Sequence, residues 1–154
     1  YIVKNPQPSY LRLAKTKNKI LHKKIPNVKP GKWLPIFIKY PRSKKIFLTT
    51  GNTARLAKDL LTRGKYNKFS IYSLPIWGMK FKNAQPNQLK KWDEVMILED
   101  HLEDGGFGSW IKESTNNQNL KTKIISKSID KRIISKVGSE QYLLDKYYLK
   151  FFGK

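Results

Sequence analysis

The apolar run Val95-Met96-Ile97-Leu98 leads without a break into Glu99-Asp100-His101-Leu102-Glu103-Asp104-Gly105-Gly106-Phe107-Gly108-Ser109-Trp110. A short run with no polar alternation suits a strand buried on both faces, and such strands belong to parallel sheets covered by helices. Acidic and His residues at its end, then glycines that can turn the chain into a helix, place polar groups at the carboxyl edge of an α/β sheet. Folds of this class keep their functional surfaces there.

The flanking segments extend the pattern. Trp33–Tyr40 and Lys45–Thr50 read as two strands around the turn Pro41-Arg42-Ser43-Lys44, so a hairpin-like reversal is expected, with the first strand running against the second. After Gly51, Asn52 or Thr53 can cap a helix whose apolar stripe is Ala54, Ala57, Leu60 and Leu61, with Gly64 as a stop. Phe69–Leu74 is a further strand, Pro86 opens a short helix, Glu94–Leu98 is the next strand, and a helix follows Gly108. Lys123–Ser126 forms a last strand, and Ser139 caps a closing amphipathic helix. Strand and helix alternate from residue 45 onward, which argues for a mostly parallel sheet in a three-layer α/β/α arrangement.

Upstream of this pattern, Pro8–Ala14 alternates enough to be one strand, and a basic, proline-punctuated stretch without helical period follows it. The expected organisation is a strand segment over 1–16, a linker over 17–32 and a domain over 33–154. The 154 residues suffice for one sizeable core. There is no cysteine, which excludes disulfides and thiolate chemistry and is compatible with a reducing compartment. No apolar run approaches the roughly 18 residues of a membrane span. The first residue is Tyr rather than Met, from which a fragment or a processed product is expected.

A net charge of +21 with no Asp or Glu before Asp59 raises the possibility of a nucleic-acid surface. Of 32 basic residues, however, only Arg12, Arg42, Arg55, Arg63 and Arg132 are arginines. Phosphate and base recognition favours the arginine fork, so the Lys excess fits a lysine-rich coding bias better and implies only weak, sequence-indifferent binding. Trp77, Trp92 and Trp110 could stack nucleobases, but their apolar surroundings favour packing.

Candidate chemistry is sparse. His22 and His101 are the only histidines, and the grouping of His101 with Asp100 and Asp104 matches no strong metal-ligand spacing, so no metal site is expected. Ser109 lacks the Gly-x-Ser-x-Gly setting of a nucleophile elbow. Glu99 and Asp100, if they end a strand, face opposite sides and form no carboxylate pair. Gly105, Gly106 and Gly108 lack the Rossmann spacing and the P-loop lysine. Their expected role is to supply positive φ and close approach of a helix to its neighbour.

The segments TTGN (residues 49–52), FSIYSL (69–74), VMILEDHLEDGGFGS (95–109) and SEQYLLDKYYL (139–149) together resemble the C-terminal domain of transketolase-type thiamine-diphosphate enzymes over about residues 33–150. In that family a strand ending in Thr-Gly precedes a helix, and an acidic-acidic-His segment leads to Gly-Gly-Leu-Gly-Ser. Phe107 stands here for the leucine. Residues 8–13 resemble the last strand of the preceding pyrimidine-binding domain, and Lys15 occupies the position of the family's substrate-phosphate arginine, keeping the charge and losing the fork.

The resemblance implies a five-stranded mixed sheet whose first strand is antiparallel to the rest. It also implies a cytoplasmic, homo-oligomeric enzyme carrying out ketol transfer between sugar phosphates. Thiamine diphosphate and a divalent metal would be held by the preceding domains, which would be this chain's partners. The domain itself would be structural, dimer-stabilising or regulatory, with no catalytic residue in this chain. Crevice or interface positions would be Thr50, Gly51, Asn52, Glu99, His101, Gly105, Gly106, Gly108 and Ser109. The rival readings are a basic nucleic-acid-binding module and a free-standing ligand-sensing or scaffold domain using the same crevice.

Overall fold

The structure is a computed structural model that describes residues 1–13, 21–22 and 24–148. Its centre is a five-stranded sheet built from β1 (Leu34–Phe37), β2 (Lys45–Thr49), β3 (Ser70–Ser73), β4 (Glu94–Leu98) and β5 (Lys123–Lys127). The strands lie in the order β1-β3-β2-β4-β5. Pairs β3/β2, β2/β4 and β4/β5 are parallel, while β1 runs antiparallel to β3.

The expected hairpin is therefore corrected in one respect. β1 does run against β2, but β3 lies between them, because the turn at Pro41–Lys44 reverses the chain without specifying its neighbour. Pro35 lies within β1, at the edge of the sheet, where a residue without a backbone N–H is tolerated.

Among the described residues four α-helices cover the sheet: α1 (Thr53–Leu60), α2 (Gln85–Leu89), α3 (Phe107–Glu113) and α4 (Glu140–Tyr147). Alternate side chains of the central strands enter two separate cores. Phe47, Ile71, Met96 and Leu98 pack with Ala57, Leu60, Tyr66, Phe69 and Tyr148 on one face. Ile46, Leu48, Val95 and Ile97 pack with Leu89, Phe107, Trp110 and Ile111 on the other. This two-sided burial is why β2 and β4 read as unbroken apolar runs. Trp77, Trp92 and Trp110 belong to the second core or pack against it, so they are not free stacking platforms.

Helix starts follow local chemistry in two ways. Ser139 caps α4 by accepting the Tyr142 N–H at 3.3 Å. At α1, Asn52 is the N-cap residue, but its side chain makes no capping bond. Thr53 acts instead: its hydroxyl lies 2.9 Å from the Thr50 carbonyl and 2.8 Å from the Leu98 carbonyl, and it accepts the Thr50 N–H at 3.3 Å. One hydroxyl thus ties the ends of β2 and β4 to the start of α1.

Residues 8–13 form no strand in this chain, and Tyr10, Leu11 and Leu13 are exposed. No helix among the described residues is long and apolar enough to cross a membrane.

Phe47 is fully buried, with its ring centroid 4.8 Å from Phe69 and 5.5 Å from Tyr66. Phe47→Ala is expected to cost about 3–5 kcal/mol, the range for emptying an aromatic core position. The shift of the urea midpoint at unchanged m-value measures it.

Candidate functional site

From β2 the chain passes through α1 to β3 on one side, and from β4 through α3 to β5 on the other. The carboxyl ends of β2 and β4 are adjacent at this divergence, which opens a crevice at the sheet edge. Thr50, Gly51 and Asn52 come from the first end and Asp100 and His101 from the second. These five residues line a cavity of about 980 Å³, completed by the N-terminal segment through Arg12 and by Pro75–Phe81. Gly51 makes the turn out of β2 with φ +59. Gly105 and Ser109 do not line the cavity.

Glu99 lies behind the cavity with no solvent exposure. Its Oε1 accepts the Ser126 hydroxyl at 3.1 Å, whereas Oε2 has no hydrogen-bond partner. Gly106 and Gly108 cover this carboxylate so closely that a Cβ on Gly106 would overlap Glu99 Oε2 and the Leu102 carbonyl. A Cβ on Gly108 would overlap Ser126 Oγ and Glu99 Oε1. Both halves of the sequence expectation for the glycines are present, at different residues. Gly105 has φ +69 with open space around it, while Gly106, at φ −79 and ψ −178, is ordinary extended backbone and is needed only for close approach.

His101 bridges the buried carboxylate to the cavity. Its Nδ1 is buried without a hydrogen-bond partner, 3.7 Å from Glu99 Oε2. Its Nε2 lies 3.1 Å from Arg12 Nη1, which also forms a 2.6 Å ion pair with Asp100 Oδ1. A guanidinium can only donate, so Nε2 is the acceptor and the proton of the neutral ring sits on Nδ1, towards Glu99. Asp100 faces the cavity and Glu99 the core, opposite sides as strand-end neighbours require.

Ser109 is accounted for structurally: its hydroxyl donates to the Glu103 carbonyl and secures the loop before α3. Lys15, the phosphate candidate, lies outside the described residues. Sequence reasoning missed Arg12, although one signal was available: it is one of only five arginines in a lysine-rich chain.

Tyr148 closes the core beside Glu99, and its hydroxyl donates to the Lys127 carbonyl at 3.0 Å. Burial, with the charges of Glu99 and Asp100 adding to it, pushes the phenol well above its ordinary value of 10.0.

These features define an α/β domain with the fold of a transketolase C-terminal-like domain and its polar groups at the carboxyl edge. No family model matches the sequence, and no curated protein matches it at a significant level. Among solved structures the chain is similar to one titled "Split gene transketolase, inactive beta4 tetramer", with a TM-score of 0.65 and 14% identity over 84% of this chain. The match spans 41% of the length of that structure's chain.

Three outcomes are expected. Gly106→Val should cost about 1–3 kcal/mol through overpacking alone, read from denaturant midpoints, and His101→Ala, which strips away the ring facing the buried Glu99 Oε2, should lower the midpoint without abolishing folding. A raised folded-state Tyr pKa means that the folded chain holds its proton more tightly, so this stability is complete below pH about 10 and is lost as pH rises beyond it. Between pH 9 and 11, Tyr148→Phe should lose less stability than the parent chain, measured by urea denaturation at each pH.

Proposed function

We propose that this chain is the C-terminal domain of a transketolase-like, thiamine-diphosphate-dependent enzyme, with residues 1–16 left from a preceding pyrimidine-binding domain and 17–32 as the connection. Its role is to stabilise the dimer or regulate the enzyme, and ketol transfer between sugar phosphates takes place in the other domains of a cytoplasmic homo-oligomer. The observation that carries this reading is the Glu99–Gly108 turn at the carboxyl end of β4, in a sheet whose first strand alone is antiparallel.

Among the described residues, no group of three or more His, Cys, Asp or Glu side chains could hold a metal ion. The sequence also contains no Gly-Asp-Gly segment of the kind that binds the diphosphate in that family. In this reading thiamine diphosphate and its divalent metal are held by the preceding domains, and no step through them is assigned to this chain. The partners implied are the cofactor-binding domains.

Calorimetry tests the division of labour. The isolated chain should bind thiamine diphosphate no better than an arbitrary anion, and the binding should vanish in about 0.5 M salt, where the Debye length is only a few Å. Micromolar affinity surviving that salt would overturn the reading. Nucleic-acid binding should likewise be weak, indifferent to sequence and steeply salt-dependent, as counterion release requires. Filter binding at physiological salt that found about a hundredfold preference for one sequence would favour the nucleic-acid module instead.

A further inference from the structure

We propose that the cavity at the carboxyl edge is a binding site for a hydroxy-carboxylate, an organic monoanion that carries a hydroxyl donor beside its carboxylate. Arg12 would hold the carboxylate and His101 Nε2 would accept the hydroxyl. The inference rests on the geometry of the cavity and does not depend on the parentage of the domain.

Three observations converge. First, Arg12 is anchored through Nη1 alone, to Asp100 and His101, and among the described residues its Nε and Nη2 have no partner. These two nitrogens form one edge of the planar fork, the edge that pairs with the two oxygens of a carboxylate. Arginine is the minor cation of this chain, five of its 32 basic residues.

Second, His101 is set up as an acceptor. With its proton on Nδ1, facing Glu99 Oε2 at 3.7 Å, its Nε2 lone pair points to Arg12 and the cavity side. Both Nδ1 and Oε2 are buried and unpartnered, which is costly unless they close on one another. A ring movement of under about 1 Å would bring them to hydrogen-bond distance. Such a movement is expected when a ligand hydroxyl replaces Arg12 at Nε2, since polar contacts in empty sites are often long and tighten on binding. Glu99 is then a positioning residue. It fixes the tautomer of His101 without touching the ligand, as a carboxylate behind a ligand-binding histidine does.

Third, the charge balance of the site selects the ligand. Although the chain carries +21 overall, the cavity lining includes Asp100 and Glu140 alongside Arg12 and Lys80, with Glu99 buried behind. Two nearby carboxylates repel a dianion more than a monoanion, so a carboxylate fits better than a phosphate ester. Trp77, Met79 and Phe81 provide apolar wall for the carbon skeleton.

The test is an NMR titration of the full chain at about 0.15 M salt, where surface charges are largely screened, with glycerate and propionate as probes. Shifts are followed at the His101 ring nitrogens and the Arg12 Nε–H. Glycerate, which adds two hydroxyls to the propionate skeleton, is expected to bind about tenfold more tightly than propionate, the scale of the one hydrogen bond that its hydroxyl beside the carboxylate makes to His101. Arg12→Lys, which keeps the charge and removes the fork at a half-exposed position, should weaken glycerate about tenfold. Arg42→Lys, in the turn that precedes β2 at the opposite sheet edge, should change nothing. His101→Ala should lower glycerate to the level of propionate. If Arg12→Lys and Arg42→Lys behave alike, the chain is a general anion binder and the proposal fails. It fails equally if glycerate keeps its margin over propionate without His101.

Discussion

One buried carboxylate organises the carboxyl edge of this protein. A Glu side chain with no solvent contact is tolerated only where polar neighbours face its oxygens. Glu99 has Ser126 on one oxygen and the imidazole of His101 near the other. To bring the first turn of α3 close enough to seal the carboxylate, residues 106 and 108 must lack a Cβ. The sharp exit into that turn then needs the positive φ of Gly105. The glycines, the serine and the histidine are thus consequences of a single burial.

The N-terminal segment is held by the same chain of contacts. Arg12 reaches across the crevice to Asp100 and His101, and His101 faces Glu99. A residue 88 positions earlier in sequence is therefore linked to the interior of the sheet through two side chains. On its own, the Arg12–Asp100 pair is half exposed and would contribute little to stability. Its importance is geometric, since it fixes where the guanidinium sits relative to the imidazole.

Much of the architecture was legible in local patterns because the two cores lie on opposite faces of the same strands. Ile46 and Leu48 enter one core and Phe47 the other, which leaves no polar position in that run and marks it as doubly covered. Ser139 was readable as a cap because the bond it makes is local. Asn52 was not, since Thr53 finds a better partner in Leu98, and a contact between residues 45 positions apart leaves no local trace. The same limit explains Arg12 and the placement of β3 between β1 and β2. A turn signal states that the chain reverses, whereas the choice of neighbour depends on the whole sheet.

That placement also bears on the order in which the sheet can be assembled. Leu34 in β1 pairs with Ser73 in β3, so β1 has no ladder to join until β2, α1 and β3 have followed it from the ribosome. Contacts this distant in sequence carry a large loop-closure cost and form slowly. Until then, the outer edge of β3 is an open template on which another chain could add. The antiparallel edge strand thus covers the outer edge of β3 and closes off one route to aggregation.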